Sequence, residues 1–314
     1  MPEPLRGLHH ITAIAGDPQT NRAFYTDLLG LRLVKVTVNF DDPTTYHLYY
    51  GDALGSPGTV LTFFPWPGAP RGRPGTGMVT ALAYTIPPDA LTFWRDRLQA
   101  AGVTVTDLQT PWDERGLAFS DPDGLPLELI AWPDAAPAPW TDGPVPPARA
   151  LGRFFRVILR TAVPDRTQDF LTRLLGFVPV AHRPPWTRLR AGQGPQFLDL
   201  LADPAGAPGQ IAVGTIHHVA WRLPDDPSQA AWRQYLLQNG VAVSPIMDRQ
   251  YFHSIYFREP GGALFEVATD PPGFTADEPP AQLGSGLRLP PWLEPERARI
   301  AAALPPLRLA PERR

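Results

Sequence analysis

The sequence predicts an α+β fold in which four β-α-β-β-β modules form two pseudo-symmetric domains. The first observation behind this prediction is a repeat: residues 8–11 read Leu-His-His-Ile, and residues 216–219 read Ile-His-His-Val. The second is that Asp17 or Asp225 follows each copy, seven residues after its second His, and an amphipathic helix pattern comes next. A repeat of this kind indicates duplicated supersecondary units.

Module one has the order strand, helix, strand, strand, strand. It begins with the strand that carries His9 and His10. The helix is predicted at residues 18–29, where apolar side chains recur at helical spacing, and Gly30 is its predicted C-terminal cap. The other three strands are predicted at residues 31–40, 46–50 and 60–64.

The other three modules repeat this pattern. Module two begins with a strand at residue 77 and has a helix at 90–101; module three has a strand at 153–160 and a helix at 165–175; module four has a strand at 215–223 and a helix at 228–239. A glycine follows each helix, as is typical of helix ends. Four modules of this size account for most of the chain.

Proline-rich segments divide the modules into groups. Proline accounts for 41 of the 314 residues, which is well above its usual share of about 5%. We expect modules one and two at residues 7–132, a linker at 133–150, modules three and four at 151–272, and a Pro-rich tail with a short helix at 273–314.

The ends of modules two and four carry a second repeat. In both, Phe is followed by an acid-Pro-x-Gly turn and then by a glutamate between apolar residues, Glu128 or Glu266. A carboxylate that is buried without a partner costs several kcal/mol, so Glu266 needs a cation or hydrogen-bond donors. We interpret Glu128, which has no His in its own module, as a relic of the repeat that is hydrogen-bonded or paired with Arg.

The composition excludes several classes of function. The chain has no Cys, which excludes disulfides, thiolate zinc sites, iron–sulfur clusters and a Cys nucleophile. The net charge of −3 gives no broad basic surface for nucleic acid. Without an apolar run of membrane-spanning length or a signal-peptide pattern at the start, we expect a cytoplasmic protein that does not enter the membrane.

The economical set of metal ligands is His10, His218 and Glu266. Only modules one and four keep the His pair; the corresponding residues are Thr80 and Ala81 in module two, and about Phe154 and Phe155 in module three. Two imidazoles and one carboxylate leave coordination positions open, which is typical of non-haem Fe(II) sites in oxygen chemistry. A structural zinc site would usually have four protein ligands.

The shared site also predicts how the modules pair. Metal–ligand bonds are about 2 Å long, so His10 and His218 bind one ion only if their strands lie side by side. Module one is therefore expected to pair with module four, and module two with module three. Pairing in sequence order would instead give two incomplete sites.

Several stretches of the sequence resemble one known superfamily. They include Leu8-His-His-Ile-Thr-Ala-Ile, Tyr46-His-Leu-Tyr, Ile216-His-His-Val-Ala and Asp248-Arg-x-Tyr-Phe. With these motifs the chain resembles the vicinal oxygen chelate superfamily of glyoxalases, bleomycin-resistance proteins and extradiol dioxygenases. Nearly the whole chain is similar to the subgroup of ring-cleaving dioxygenases that open hydroquinones.

The resemblance implies a ring-cleaving dioxygenase that acts on hydroquinone- or catechol-type aromatics with O₂. It implies Fe(II), with Mn(II) as the other candidate, held by His10, His218 and Glu266. It also implies that the ligands are surrounded by Thr12, His9, His217, Arg249 and Tyr256. Strict alternation along a strand would instead point His9 and His217 to the opposite face from the ligands. The oligomeric state is left open.

Two other classes of function remain as alternatives. A glyoxalase-like isomerase or lyase would use the same fold but typically four protein ligands around the metal, and the sequence offers three. A metal-free protein that binds small molecules would have no need of the two histidines and Glu266. An aromatic set is a candidate wall for a planar substrate: Phe63, Phe64, Trp66, Phe252 and Phe257. We expect His47, in an alternating strand, to lie on the ordinary sheet surface.

Overall fold

The computed structural model describes residues 2–133 and 139–309. Part of the predicted linker, residues 134–138, and the end of the tail, residues 310–314, lie outside the described residues. No helix in the described ranges is long and apolar enough to cross a membrane.

Within the described ranges, sixteen strands make up the four modules, four strands in each. Module one contains β1 (Leu8–Ala15), β2 (Arg32–Asn39), β3 (Asp42–Gly51) and β4 (Val60–Pro65). Module two contains β5 (Met78–Ile86), β6 (Thr106–Asp107), β7 (Gly116–Ser120) and β8 (Pro126–Ala131). Module three contains β9 (Phe154–Thr161), β10 (Val178–Arg183), β11 (Trp186–Arg190) and β12 (Phe197–Ala202). Module four contains β13 (Thr215–Leu223), β14 (Met247–Asp248), β15 (His253–Arg258) and β16 (Leu264–Thr269).

A helix follows the first strand of each module. The helices are α1 (Pro18–Arg22), α2 (Leu91–Ala100), α3 (Pro164–Asp169) and α4 (Asp226–Gln238), with α5 (Arg297–Ala303) in the tail. In modules one and three the predicted helix continues as a π-helix, at Ala23–Leu28 and Phe170–Leu174. The repeated aspartates are N-caps: Asp17 Oδ1 accepts from the N–H of Thr20 at 2.7 Å, and Asp225 Oδ1 from that of Ser228 at 2.9 Å.

The strands form two eight-stranded sheets, and the predicted pairing of modules is confirmed. The first sheet has the order β14-β15-β16-β13-β1-β4-β3-β2 and joins modules one and four. The second has the order β10-β11-β12-β9-β5-β8-β7-β6 and joins modules two and three. In each sheet the first strands of the two modules meet as an antiparallel pair at the centre.

The first sheet curls, and its interior carries the candidate site. Ile11 and Ala13 on β1 point to the main hydrophobic core, whereas His10 and Thr12 alternate to the inside of the curl. The curl brings the two ends of the sheet together, since Arg249, just after β14, forms an ion pair with Asp41, just after β2. The fold thus closes a cavity from residues of both modules.

The C-terminal tail lies against the β2 side of this sheet. Lys35 on β2 is fully buried, and its Nζ is 2.5 Å from Asp277 and also contacts Glu278. Further along, Ile300 of α5 belongs to a small apolar cluster with Val38 of β2. The tail thereby covers apolar and charged groups of β2.

Candidate metal centre

Three predicted ligands converge at the centre of the first sheet. Their ligand atoms lie within 4.8 Å of one another, and all three side chains are buried. Glu266 Oε2 is 2.9 Å from His218 Nε2 and 3.3 Å from His10 Nε2. The fold therefore brings together, from β1, β13 and β16, the three residues that the sequence predicts as ligands.

The sheet register explains this convergence. His10 on β1 is opposite Ala220 on β13, and Ala220 is opposite Glu266 on β16. The methyl side chain of Ala220 leaves room above the sheet between its two neighbours. His218 is two residues before Ala220 and points to the same face of the strand.

The donor set fits a divalent cation. Glu266 Oε1 accepts from Ser254, whereas the buried Oε2 has no hydrogen-bond partner with proper geometry among the described residues. Burial alone would raise the pKa of Glu266, but the adjacent His10 and His218 hold that pKa well below its usual value. A buried carboxylate oxygen that faces two imidazole nitrogens is typical of metal coordination.

The first histidine of each pair, which is not a predicted ligand, contacts the ligand histidine that follows it. His9 Nδ1 is 2.9 Å from His10 Nδ1, and His217 Nδ1 is 2.8 Å from His218 Nδ1. The expectation from strict alternation was wrong because the β1–β13 register shifts at both places, from Leu8 to His10 and from Thr12 to Ala13. Bulges of this kind turn a side chain away from its regular direction.

These contacts define the protonation of the histidines when a metal is bound. A ligand that coordinates through Nε2 carries its proton on Nδ1, so His218 would donate to His217 Nδ1. His217 then keeps its own proton on Nε2. Burial lowers the pKa of both His9 and His217 to about 3, which keeps the two rings neutral near pH 7. His217 therefore presents an N–H donor to the cavity.

Tyr256 and Arg249 lie on the module four side of the cavity. Tyr256 is directly opposite Glu266 in the sheet register. Arg249 Nε donates to the Tyr256 hydroxyl at 3.3 Å, and Arg249 Nη2 donates to Asp41 Oδ2 at 2.9 Å. Burial raises the pKa of Tyr256, so its hydroxyl group stays protonated.

Thr12 is a predicted site residue that does not line the cavity. It is fully buried, and its hydroxyl group is 2.8 Å from that of Thr62 on β4. It shares the inner face of β1 with His10. The remaining predicted residues, His9 included, contact a ligand or line the cavity.

The cavity beside the triad has a volume of about 300 Å³. Of the proposed aromatic wall, Phe64, Trp66 and Phe252 line it, whereas Phe63 and Phe257 belong to the hydrophobic core. Strand alternation explains the difference, because Phe63 is adjacent to Phe64 and so points to the other face. The cavity can therefore hold a planar ring between aromatic side chains.

Sequence reasoning assigned His47 wrongly and missed other residues of the site, among them Tyr49, which lines the cavity, and Ser254. His47 is not on the ordinary sheet surface: it lines the cavity, with ring centroids 4.0 Å from Tyr49 and 4.3 Å from Phe64. Ser254 on β15 donates to Glu266 Oε1. Strand alternation puts Ser254 on the same face as Tyr256, which could have identified it.

Among the residues that the structure describes, the second sheet has no triad at the matching place. Glu128, paired with Arg as predicted, accepts from Arg156 Nε at 2.9 Å and from Nη2 at 2.8 Å. Arg156 is opposite Ala83, and Ala83 is opposite Glu128, so Arg156 stands where His10 stands in the first sheet. The predicted correspondence of His9 and His10 to Phe154 and Phe155 was one residue too early.

The fold and the site define a superfamily. The chain belongs to the glyoxalase/bleomycin resistance protein/dioxygenase superfamily, whose model matches residues 7–129 and 153–267. Glyoxalase I from Zea mays shares 18% identity with this chain at a TM-score of 0.62, covering 84% of this chain and 92% of its own, which is a likeness of fold alone.

Other relatives have names that specify a reaction. The chain is 45% identical to the Bacillus subtilis (strain 168) protein named "Putative ring-cleaving dioxygenase MhqO", with 98% of each chain covered. It is 35% identical to the chlorohydroquinone/hydroquinone 1,2-dioxygenase of Sphingobium indicum, with 94% of each covered. A crystal structure of a "putative dioxygenase" from Bacillus subtilis subsp. subtilis str. 168 has a TM-score of 0.93 and 44% identity, covering 98% of this chain and 99% of its own. These relatives support an oxygenase enzyme.

Proposed function

We propose that this protein is a non-haem Fe(II)-dependent dioxygenase that cleaves the ring of hydroquinone- or catechol-type aromatics with O₂. The observation that carries the proposal is the convergence of His10, His218 and Glu266 beside an aromatic-lined cavity. Mn(II) is the other metal that we assign to this ligand set. When bound, the ion would supply adjacent positions for a phenolate oxygen and O₂ and an electron path between them.

The groups around the triad are suited to negative charge on oxygen. His217 presents its Nε2–H, Tyr256 its hydroxyl group, and Arg249 its guanidinium group to the cavity. All three are donors that the sheet and its loops hold in place. Preorganised donors of this kind stabilise charge as it develops on reacting oxygens.

The aromatic side chains orient the substrate ring. Phe252 lies 4.9 Å from the His10 ring, and Phe64 lies 6.0 Å from the His217 ring, measured between centroids. Trp66 adds a third aromatic surface to the cavity. A planar substrate held among these rings would have few orientations, which keeps one hydroxyl group near the triad.

The number of ligands favours an oxygenase over a glyoxalase-like isomerase. The position in module one that corresponds to Glu266 is Thr62, since Thr62 is opposite Thr12 as Glu266 is opposite Ala220. A threonine hydroxyl bonded to another threonine is a poor substitute for a carboxylate ligand. Three ligands leave more positions open for substrate and O₂ than four do.

The proposed function is tested with an oxygen electrode and protein reconstituted anaerobically with Fe(II). Hydroquinone, methylhydroquinone, chlorohydroquinones and catechol are compared as substrates. We expect O₂ uptake with at least one of them and a ring-opened product. Conversion of methylglyoxal–thiol adducts without O₂ uptake would instead support the isomerase, and unchanged ligand binding after metal removal would support a metal-free binding protein.

A further inference from the structure

A chain of four hydrogen-bonded side chains runs along the cavity wall on the module one side. Tyr49 Oη is 2.8 Å from His47 Nδ1, and His47 Nε2 is 2.9 Å from Thr62 Oγ1. Thr62 Oγ1 is in turn 2.8 Å from Thr12 Oγ1. The chain begins at two cavity-lining residues of β3 and ends on β1, the strand that carries His10.

Each member of this chain can act as donor or acceptor. Burial holds the pKa of His47 well below its usual value and the pKa of Tyr49 well above, so near pH 7 the imidazole is neutral and the phenol protonated. A neutral imidazole has one donor and one acceptor nitrogen. The tautomer of His47 therefore sets the direction of every hydrogen bond in the chain.

The two directions present different groups to the cavity. If Tyr49 donates to His47 Nδ1, its oxygen lone pair is left to accept from a ligand. If His47 Nδ1–H donates to Tyr49, the Tyr49 hydroxyl proton is left to be donated to a ligand. Because the Thr12–Thr62 hydrogen bond can reverse as well, the Thr62 hydroxyl group has both a donor and an acceptor in either direction.

His47 and Tyr49 are positioned to contact the part of a substrate ring that lies away from the metal ligands. The metal ligands are on β1, β13 and β16, whereas His47 and Tyr49 are on β3, which is separated from β1 by β4. Both sets line the same cavity. Phe64 of β4 is a neighbour of both sides of the cavity, since its ring centroid is 4.3 Å from that of His47 and 6.0 Å from that of His217.

We infer that His47 and Tyr49 together form the polar contact for a ring hydroxyl group remote from the metal triad, and so favour diols over simple phenols. The inference rests on the proposed function, because it takes the other hydroxyl group to lie at the triad. The pair would accept from the remote group when it is a hydroxyl and donate to it when it has lost its proton.

The test compares the binding of hydroquinone and phenol, because phenol lacks the second hydroxyl group. Dissociation constants are measured by calorimetry on anaerobic, Fe(II)-loaded protein, so that binding is read without turnover. The variant Tyr49→Phe removes one hydroxyl and keeps the ring packing. The control Tyr50→Phe removes the hydroxyl of the next residue, which points to the other face and donates to Asn21 at 2.9 Å.

Tyr49→Phe is expected to weaken hydroquinone binding about tenfold, which is the effect of one hydrogen bond, and to leave phenol binding near wild type. Tyr50→Phe should preserve the wild-type preference. A second variant, His47→Gln, can keep the contact with Thr62 while it loses the one with Tyr49. It should show the same loss for hydroquinone, and the double variant should lose no more than either single one.

An unchanged ratio of the two dissociation constants in Tyr49→Phe would overturn the inference, and so would an equal loss for both ligands, which indicates packing. Oxygen uptake measured on the same samples separates this result from the proposed function. If the preference for hydroquinone over phenol depends on Tyr49 but no O₂ is taken up, the proposed dioxygenase is refuted and the proposed contact stands. If O₂ is taken up and Tyr49→Phe keeps the wild-type preference for hydroquinone over phenol, only the proposed contact is refuted.

Discussion

Arg156 occupies in the second sheet the position that His10 occupies in the first. His10 is opposite Ala220, and Arg156 is opposite Ala83, in the same central strand pair of each sheet. In the first sheet the buried glutamate at this place faces two imidazoles, and in the second its counterpart binds a guanidinium group. The duplicated fold thus neutralises equivalent carboxylates in two ways, one of which leaves a site for a metal ion.

This equivalence makes Glu128 a matched control for Glu266. We expect Glu266→Ala to lose bound metal, because the site is reduced to two imidazoles. Glu128→Ala should retain metal near the wild-type amount and lose only stability, since Arg156 keeps its contacts with Asp199 and Glu114. Elemental analysis after anaerobic reconstitution measures the metal content of both variants. Equal metal loss in the two would contradict the assignment of Glu266, and not Glu128, as the carboxylate ligand.

Arg156 itself is expected to be essential for the stability of the second sheet. The side chain is buried and bonded to three carboxylates. Arg156→Met leaves the buried carboxylate of Glu128 without its arginine partner, whereas Glu114 and Asp199 keep their ion pairs with Arg188. We expect the free energy of unfolding to fall by about 3–5 kcal/mol, measured by urea denaturation.

Arg160→Met is the control for that variant. Arg160 is on the same strand and pairs with Asp203, but both side chains are partly exposed, and such pairs contribute about 0–1 kcal/mol. Similar losses in the two variants would show that burial of the Arg156 cluster is energetically unimportant.

Ser254 is expected to affect metal affinity without being a ligand. Its hydroxyl group donates to Glu266 Oε1 and so fixes the carboxylate with Oε2 towards the histidines. Ser254→Ala should weaken Fe(II) binding about 10–100-fold, as is typical for groups that orient a ligand. Competition with a chelator under anaerobic conditions measures the affinity. Wild-type affinity would refute this role, and the unfolding midpoint of the metal-free variant reports any general loss of stability.

Asp121 gives a prediction about pH. Burial raises the pKa of Asp121 from 3.8 to about 6, although it accepts hydrogen bonds from the backbone N–H groups of Asp123 and Leu125 and from Tyr25. Between these values the folded state binds more protons than the unfolded state, so this group's contribution to stability falls as pH rises and is lost above about 6. The change is at most about 3 kcal/mol.

The variant Asp121→Asn isolates this contribution. An amide oxygen can still accept from the two backbone N–H groups, and the variant cannot titrate at this position. The free energy of unfolding of Asp121→Asn, taken relative to that of the wild type, should therefore be higher at pH 7.5 than at pH 4.5. Denaturant unfolding at the two pH values measures this difference. A difference between the two proteins that does not depend on pH would contradict the assignment.

The sequence alone predicts the features that recur in its internal repeats. The His-His pair and the glutamate recur at equivalent places, so the order of modules, their pairing and the convergence of His10, His218 and Glu266 could be predicted. The N-cap aspartates belong to the same repeat. These features depend on local patterns and on the requirement that buried charges be neutralised.

Other features depend on register and curvature, which the sequence does not display. His47 has no counterpart that would mark it, and it reaches the cavity because the sheet curls. The sequence alignment placed the counterpart of His10 at Phe155, one residue before Arg156. A shift of one residue moves a side chain to the opposite face of a strand. His9 and His217 contact the ligands because of register shifts that strict alternation does not contain.

The shared iron site can be observed by anomalous diffraction at the iron edge from crystals of protein reconstituted anaerobically with Fe(II). A shared iron site predicts one peak per chain in the first sheet, about 2 Å from His10 Nε2, His218 Nε2 and a Glu266 carboxylate oxygen. The second sheet should show no peak at Arg156. A peak elsewhere, or no peak beside the three ligands in fully reconstituted protein, would contradict the shared iron site and with it the proposed chemistry.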